Sequence, residues 1–229
     1  RFQHGAGRIE IRAATEAGVL VVYTPDGPTE SVVEHALVFM LMLAKGLRQA
    51  DAASRSGDWG YRLRAKGTEL MGKSLGIIGG GHIGSRLAQV CQAAFDMKVS
   101  VYDPYLTADK ARACGMYPCA TLPELMAASD FVSIHTPLTS ETRRLVGAAE
   151  LAAMKPSAYL INTSRGPVVD EPALIEVLRA GRIAGAGLDV YEQEPPATDS
   201  PLLAMPNVVL SPHMAAHTDE AMRRMSLVA

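Results

Sequence analysis

The sequence predicts an α/β protein built on a doubly wound parallel sheet, and three observations predict it. From Lys73 to Leu210, short apolar runs alternate with amphipathic segments, the pattern of parallel strands with helices on both faces. The run Leu75-Gly76-Ile77-Ile78 leads into Gly79-Gly80-Gly81-His82-Ile83-Gly84, and a helix-like segment, Ser85 to Phe95, follows at once. A second run, Val99-Ser100-Val101-Tyr102, ends in Asp103, nineteen residues after Gly84 (103 − 84). The 229 residues are 48% hydrophobic and 20% charged, ordinary for a globular chain and ample for a core.

Gly79, Gly81 and Gly84 fill the pattern G-x-G-x-x-G. The first glycine permits a tight turn, the second lets a pyrophosphate approach the backbone, and the third lets helix and strand pack closely. The helix start then offers free N–H groups to a phosphate. Taken alone, the glycines would fit a structural turn and Asp103 a solvated acid. Strand before, helix after and acid beyond make the motif dinucleotide-binding and the sheet Rossmann-like. Asp103 would accept hydrogen bonds from ribose hydroxyls and repel a 2′-phosphate. Pro104-Tyr105-Leu106 brings no Arg to it, so the expected cofactor is NAD. Gly79, Gly81, His82, Ile83, Gly84 and Asp103 are therefore candidate cofactor-binding residues. The ring of His82 is expected in solvent, with its amide serving a phosphate.

Net charge is −2, so no basic footprint points to nucleic acid. Cys91, Cys114 and Cys119 are an odd number without C-x-x-C spacing, which implies a reducing, cytoplasmic setting. Cys114 and Cys119 lack a second Cys/His pair at ligand spacing, and no metal is expected. The longest apolar run, Ala36 to Ala44, is too short to span a bilayer, and no signal peptide is read. The chain opens on Arg-Phe-Gln-His without an initiating Met, as a piece of a longer polypeptide would.

In order, Ala13 to Gly18 reads as a short helix closed by glycine, and Val19-Leu20-Val21-Val22-Tyr23 as a buried strand. Thr24 to Pro28 is turn chemistry and a candidate hinge. Ser31-Val32-Val33-Glu34 fits a capping box, and the helix it opens runs to about Ser56 before Gly57. Its middle, Ala36 to Ala44, is apolar all round and should be buried on every side, inside one subunit or partly against a second. Asp58-Trp59-Gly60 leads a polar loop to the central strand. Beyond Asp103, helices are expected over Ala108–Ala113, Leu122–Ala128 and Gly147–Lys155, and strands over Phe131–Ile134 and Tyr159–Asn162. Asp170 caps a further helix with Pro172 in its first turn and Gly181 past its end. A glycine-rich strand (Ala184 to Val190), a last strand (Val208 to Leu210) and a helix from about Asp219 complete the chain.

Parallel sheets bind ligands beyond the carboxyl ends of their strands. Those positions hold the glycine turn, Asp103, His135-Thr136-Pro137, Thr163-Ser164-Arg165, Asp189 to Glu194, and His213. The inventory suits hydride transfer to a carbonyl. A substrate carboxylate needs a cation that can grip it bidentately, as Arg165 could. A developing alkoxide needs a proton from a group such as His213, and Glu194 could orient that imidazole and favour its protonated form. Taken singly, Arg165 also fits a surface loop charge, Glu194 a solvated acid and His213 a satisfied strand-end His. By position alone His135 competes with His213.

The chain resembles the D-isomer-specific 2-hydroxyacid dehydrogenases, the group that includes phosphoglycerate dehydrogenase and hydroxypyruvate reductase. The resemblance covers nearly the whole chain. It rests on Gly79 to Gly84 with Asp103, Leu160 to Glu171, Gly187 to Pro195, and Leu210-Ser211-Pro212-His213. It implies that Arg165, Glu194 and His213 are catalytic, which decides between His213 and His135. It also implies that Asp189 contacts the nicotinamide amide and that His135, Thr136 and Pro137 line the adenosine side. Thr163, Ser164, Arg165 and His213 complete the implied cofactor-binding set. Substrate would meet Ala6, Gly7, Arg165 and His213. There are departures. The family's early loop G-x-G-x-x-x-x-D keeps its glycines in Gly5-Ala6-Gly7 but has Arg12 in place of the acid. His217 follows His213 where a small or apolar residue would be ordinary. Part of the family's flavodoxin-like substrate domain and the end of its tail are not in this chain.

The organisation expected is a nucleotide-binding domain over 29–212, with remnants of the substrate domain at 1–28 and 213–229 and hinges near Pro25 and Pro206. The implied function is hydride exchange between NAD(H) and a 2-oxo acid or D-2-hydroxy acid, by a homodimer independent of nucleic acid and membrane. Formate dehydrogenase-like enzymes carry Gln where Glu194 stands, which counts against them. Phosphite dehydrogenase-like enzymes keep all three residues and stay open. So does a NAD-sensing corepressor or scaffold on the same fold.

Overall fold

The computed structural model describes residues 10–21, 24 and 26–228. The strands are β1 (Ser74–Ile78), β2 (Lys98–Tyr102), β3 (Tyr117–Pro118), β4 (Phe131–Ile134), β5 (Tyr159–Asn162), β6 (Gly185–Leu188) and β7 (Val208–Leu210). The helices are α1 (Ile11–Glu16), α2 (Thr29–Lys45), α3 (Leu47–Arg55), α4 (Tyr61–Arg64), α5 (His82–Phe95), α6 (Ala108–Ala113), α7 (Leu122–Ala128), α8 (Ala148–Ala153), α9 (Glu171–Arg179), α10 (Pro201–Ala204) and α11 (Asp219–Val228). One sheet takes all seven strands in the order β3-β2-β1-β4-β5-β6-β7. Every pairing is parallel. The doubly wound α/β fold is therefore as the alternation predicts.

Side chains alternate along each strand, so neighbouring residues feed opposite cores. Leu75, Ile77, Val99, Val101 and Phe131 pack with Phe39 and Met40 of α2 and Leu87 of α5. Ile78, Val132, Ile134, Leu160 and Leu188 pack with Leu125, Leu151 and Leu174 of α7, α8 and α9. The glycines of β6 let α2 lie close: a Cβ on Gly187 would come within 2.7 Å of the Phe39 side chain. Strand order reverses between β1 and β4, which opens a crevice at their carboxyl ends.

Several local expectations are corrected. The helix expected over 31–56 is two helices, broken at Gly46 in the left-handed region (φ +57°). The break turns Arg48 and Gln49 onto the chain before β7. There Arg48 donates to the carbonyls of Met205 (2.9 Å) and Val208 (2.8 Å), and Gln49 to that of Pro206 (2.5 Å). Ser31 is not a cap. The N-cap is Pro28, without a side-chain bond, and Ser31 lies inside α2 with its Oγ 2.6 Å from Thr218 Oγ1. Nor is the middle of α2 buried on every side, since Val38 is 47% exposed. Val22 and Tyr23 lie outside the described residues. Val19 to Val21 form no strand and Leu20 is 86% exposed, because the sheet offers that segment no partner strand. Pro25 also lies outside the described residues. Pro206 sits between α10 and β7.

Candidate active site

The glycine turn separates into three geometries. Gly79 stands at φ +95°, and a Cβ there would lie 2.9 Å from the His135 backbone. At Gly84 a Cβ would meet the Gly79 carbonyl oxygen at 2.2 Å. At Gly81 it would meet nothing within 4 Å. Thus Gly79 and Gly84 are small because the protein itself crowds them, whereas the space over Gly81 is open toward a ligand. The turn hands the chain to α5, whose first residues are His82, Ile83 and Gly84. The His82 ring is exposed as expected, with Nδ1 3.0 Å from Asp26 Oδ1. Asp103 faces the turn: Oδ2 accepts from Gly80 N and Oδ1 from Tyr105 N, both at 2.9 Å. Each oxygen keeps lone-pair capacity for a ribose hydroxyl.

Past β4 and β5 stands a set of polar atoms without partners. His135 Nδ1, Thr136 Oγ1 and Thr163 Oγ1 are shut off from solvent and make no hydrogen bond. Nε2 of His135 lies 2.9 Å from Ser133 Oγ. Burial pushes the His135 imidazole down to about 4. Buried polar atoms without partners are rare in native proteins, and each calls for an explanation. Here they lie beside the open Gly81 turn, so an NAD cofactor's polar groups fit the crevice. Pro137 is exposed at the start of the loop that follows.

The loop after β5 is built by Asn162, which is 1% exposed. Its Oδ1 accepts from Ser164 N (3.0 Å) and Ser164 Oγ (2.9 Å), and its Nδ2 donates to the Arg165 carbonyl (3.1 Å). Arg165 Nη1 donates to the Ser164 carbonyl at 2.6 Å. A Cβ on the next residue, Gly166, would fall 1.8 Å from the Tyr191 carbonyl oxygen, so the Arg165 loop presses on the loop that carries Glu194.

Glu194 and His213 meet. Glu194 Oε2 lies 2.7 Å from His213 Nδ1, and Oε1 accepts from Tyr191 N at 3.3 Å. A cleft of about 530 Å³ opens beside them, lined by Tyr191, Glu194, Pro195, Leu203, Ser211 and His213 among others. Burial, with Asp189 and Glu194 nearby, pushes the Tyr191 phenol up to about 12, and its O–H donates to the Ser211 carbonyl at 2.9 Å. Arg165 follows β5 and His213 follows β7, with β6 between them, so their strands run about 10 Å apart.

Asp189 is 1% exposed and serves the His213 turn. Its Oδ1 accepts from Met214 N (2.8 Å) and Ser211 Oγ (2.5 Å), its Oδ2 from Ala215 N (2.9 Å), and its carbonyl from His213 N (2.8 Å). His35 of α2 reaches the same cluster, with Nε2 2.8 Å from Ser211 Oγ and 3.8 Å from Asp189 Oδ1. Asn162 and Ser211 lie within the motifs that carry the resemblance, without a role assigned to them there, and His35 is marked in the sequence only by its polarity beside an apolar segment. Ala6 and Gly7, expected at the substrate, lie outside the described residues. Among the described residues no cluster of His, Cys, Asp and Glu stands as a metal site, and no helix is long and apolar enough to cross a membrane.

Comparison with known proteins gives the chain's family. Residues 37–215 match the family described as "D-isomer specific 2-hydroxyacid dehydrogenase, NAD binding domain". D-3-phosphoglycerate dehydrogenase of Archaeoglobus fulgidus is 42% identical over 98% of the chain, which spans only 42% of that relative. Glyoxylate reductase of Korarchaeum cryptofilum is 40% identical over 99% of the chain and 68% of its own length. Among solved structures, D-lactate dehydrogenase from Aquifex aeolicus, complexed with NAD and lactic acid, superposes with a TM-score of 0.85. It shares 35% identity over 96% of this chain and 70% of its own.

Proposed function

The chain belongs to the D-isomer specific 2-hydroxyacid dehydrogenases through their NAD-binding domain, and on that premise we propose that it serves hydride transfer between NAD(H) and a 2-oxo acid or D-2-hydroxy acid. The observation that carries the reading is the 2.7 Å contact of Glu194 with His213, placed at the carboxyl edge of a sheet whose crevice fits the cofactor. The bound nicotinamide supplies or accepts the hydride. Gly81 and the α5 amides would receive the pyrophosphate in a turn that Gly79 and Gly84 shape, Asp103 would hold the ribose hydroxyls, and the strand ends at His135–Pro137 and Thr163–Ser164 would line the crevice. Arg165 holds the substrate carboxylate with its guanidinium fork. His213 gives a proton to the carbonyl oxygen as hydride arrives and takes it back in the reverse direction, and Glu194 fixes the ring that does so. Asp189 is assigned to the nicotinamide amide, beside the turn it holds.

The segments 1–28 and 213–229 are read as parts of a substrate domain flanking the 29–212 domain. Closure of that domain would exclude water from the reaction. Ala6 and Gly7 would meet substrate there. A homodimer in the cytoplasm completes the proposal. Exposed apolar residues on α2 to α4 support the first, and the free thiols of Cys91, Cys114 and Cys119 support the second.

The test is NADH consumption by the complete protein with a panel of 2-oxo acids. Turnover of one of them is the expected result. Tight NADH binding with no turnover of any 2-oxo acid would favour a NAD-sensing corepressor or scaffold. NAD reduction with phosphite alone would favour a phosphite dehydrogenase-like enzyme.

A further inference from the structure

His213 has the left-handed backbone (φ +53°) that non-glycine residues avoid. Such a conformation persists only where its surroundings over-determine it. Here the Asp189 carboxylate does so, by accepting from the amides of Met214 and Ala215 just past His213. That carboxylate is itself buried and must be fixed in turn. Ser211 Oγ is the side-chain hydroxyl bonded to it, and His35 Nε2 lies 2.8 Å from the same Oγ. A hydroxyl has one hydrogen to donate. Ser211 Oγ gives that hydrogen to Asp189 Oδ1 at 2.5 Å. Ser211 Oγ must then accept from His35, which places a hydrogen on Nε2. The ring that donates it is held edge-on to Phe39, with centroids 4.7 Å apart and planes at 81°. Phe39 in turn rests on Gly187 of β6.

We propose that His35 is a positioning residue: its Nε2–H fixes the Ser211 hydroxyl on Asp189, and through Asp189 holds the turn that presents His213. Burial lowers the His35 imidazole below its ordinary range against the pull of Asp189, which keeps the ring in the neutral, singly donating form used here. The link spans 176 residues of sequence and ties α2 to the catalytic turn. A second stitch runs parallel to it, from Ser31 Oγ to Thr218 Oγ1. The proposal rests on the catalytic reading of His213 for its kinetic consequence, but its structural consequence is independent of that reading.

Two variants of the complete protein separate the N–H from the ring. His35→Phe keeps the packing on Phe39 and deletes the donor. His35→Gln loses the ring but retains an N–H of similar reach. Amide hydrogen exchange at Met214 and Ala215 should accelerate about ten-fold or more in the Phe variant and return near the parent rate in the Gln variant. With a 2-oxo acid that the parent turns over, kcat should fall in the Phe variant and recover in the Gln variant, while KM and NADH affinity stay close to the parent values. Unchanged exchange at Met214 and Ala215 in His35→Phe would overturn the proposal. So would equal losses in both variants, which would mean that His35 only fills space. A parent protein that turns over no 2-oxo acid would defeat the dehydrogenase reading and leave the exchange result to decide this one.

Discussion

In the proposed reaction, proton delivery from His213 would depend on which ring nitrogen faces the substrate, and the contact of Nδ1 with Glu194 would leave Nε2 for that task. His213→Ala should cut kcat for 2-oxo acid reduction by roughly a hundred- to ten-thousand-fold and leave NADH affinity nearly intact, as stopped-flow and fluorescence titration would show. Arg165→Lys should raise KM and lower kcat together, because a point charge cannot replace a bidentate fork. Asp103 should make NADH bind more tightly than NADPH, and equal affinities in a titration would remove its assigned role. His135 gives a pH prediction. Its folded-state value of about 4 lies below the ordinary 6.5, so the unfolded chain takes up a proton that the folded one refuses. Its contribution is therefore complete above about pH 6.5 and is lost as pH falls toward 4, to at most about 3 kcal/mol. His135→Gln should flatten that part of the melting-temperature profile. An unchanged slope would show that His135 does not carry it. Arg165 and His213 follow strand ends, where a parallel sheet receives ligands, but position alone leaves His135 in competition, and the family resemblance is what singles out Arg165, Glu194 and His213. The roles of Asn162, Ser211 and His35 are not legible in the sequence, because each acts through bonds whose geometry only the folded chain defines.

The glycine turn shows how one motif mixes two constraints that sequence alone does not separate. Gly84→Ala would push a Cβ into the Gly79 carbonyl and should lower the melting temperature sharply. Gly81→Ala has room and a φ of −71°, so the fold should survive while NADH binding weakens, since the methyl group fills the space a pyrophosphate needs. Calorimetry with and without NADH would check both. Equal loss of stability in the two variants would contradict the division. The regular elements around this turn were predictable because each has its own period and its own stop signals. Asp170 caps α9 by accepting from Ala173 N at 3.1 Å, as its place before Glu171-Pro172 implies. A capping-box spelling also occurs inside the first turn of a helix, and there the Ser31 hydroxyl has a partner in Thr218 instead. The sequence does not mark Gly46 as a break, because helix-forming residues continue on both sides of it. Only the bonds of Arg48 and Gln49 to the 205–208 segment explain the turn it makes.

For the whole molecule, the distribution of exposed apolar surface moves the expected subunit contact along the chain. Most of the apolar middle of α2 is covered by its own sheet, through Phe39, Met40 and Leu43. What stays uncovered begins at Val38 and continues into α3 and α4, neither of which has a buried residue. Trp59 is 70% exposed and Leu63 82% exposed, on a stretch held to the rest of the fold by Arg48 and Gln49 at its start. Apolar side chains this large, grouped on one excursion, mark an association surface more often than a solvated one. A symmetric dimer would pair the excursion of one copy with the body of the other, and a stable interface would bury about 800 Å² on each. The double variant Trp59→Asp and Leu63→Asp should then shift the complete protein from dimer to monomer in light scattering, because burying two new carboxylates is unfavourable. The sheet lies outside this excursion, so NADH binding should persist in the monomer. A parent protein that scatters as a monomer at micromolar concentration would end the dimer reading. A dimer that survives the double substitution would place its interface elsewhere.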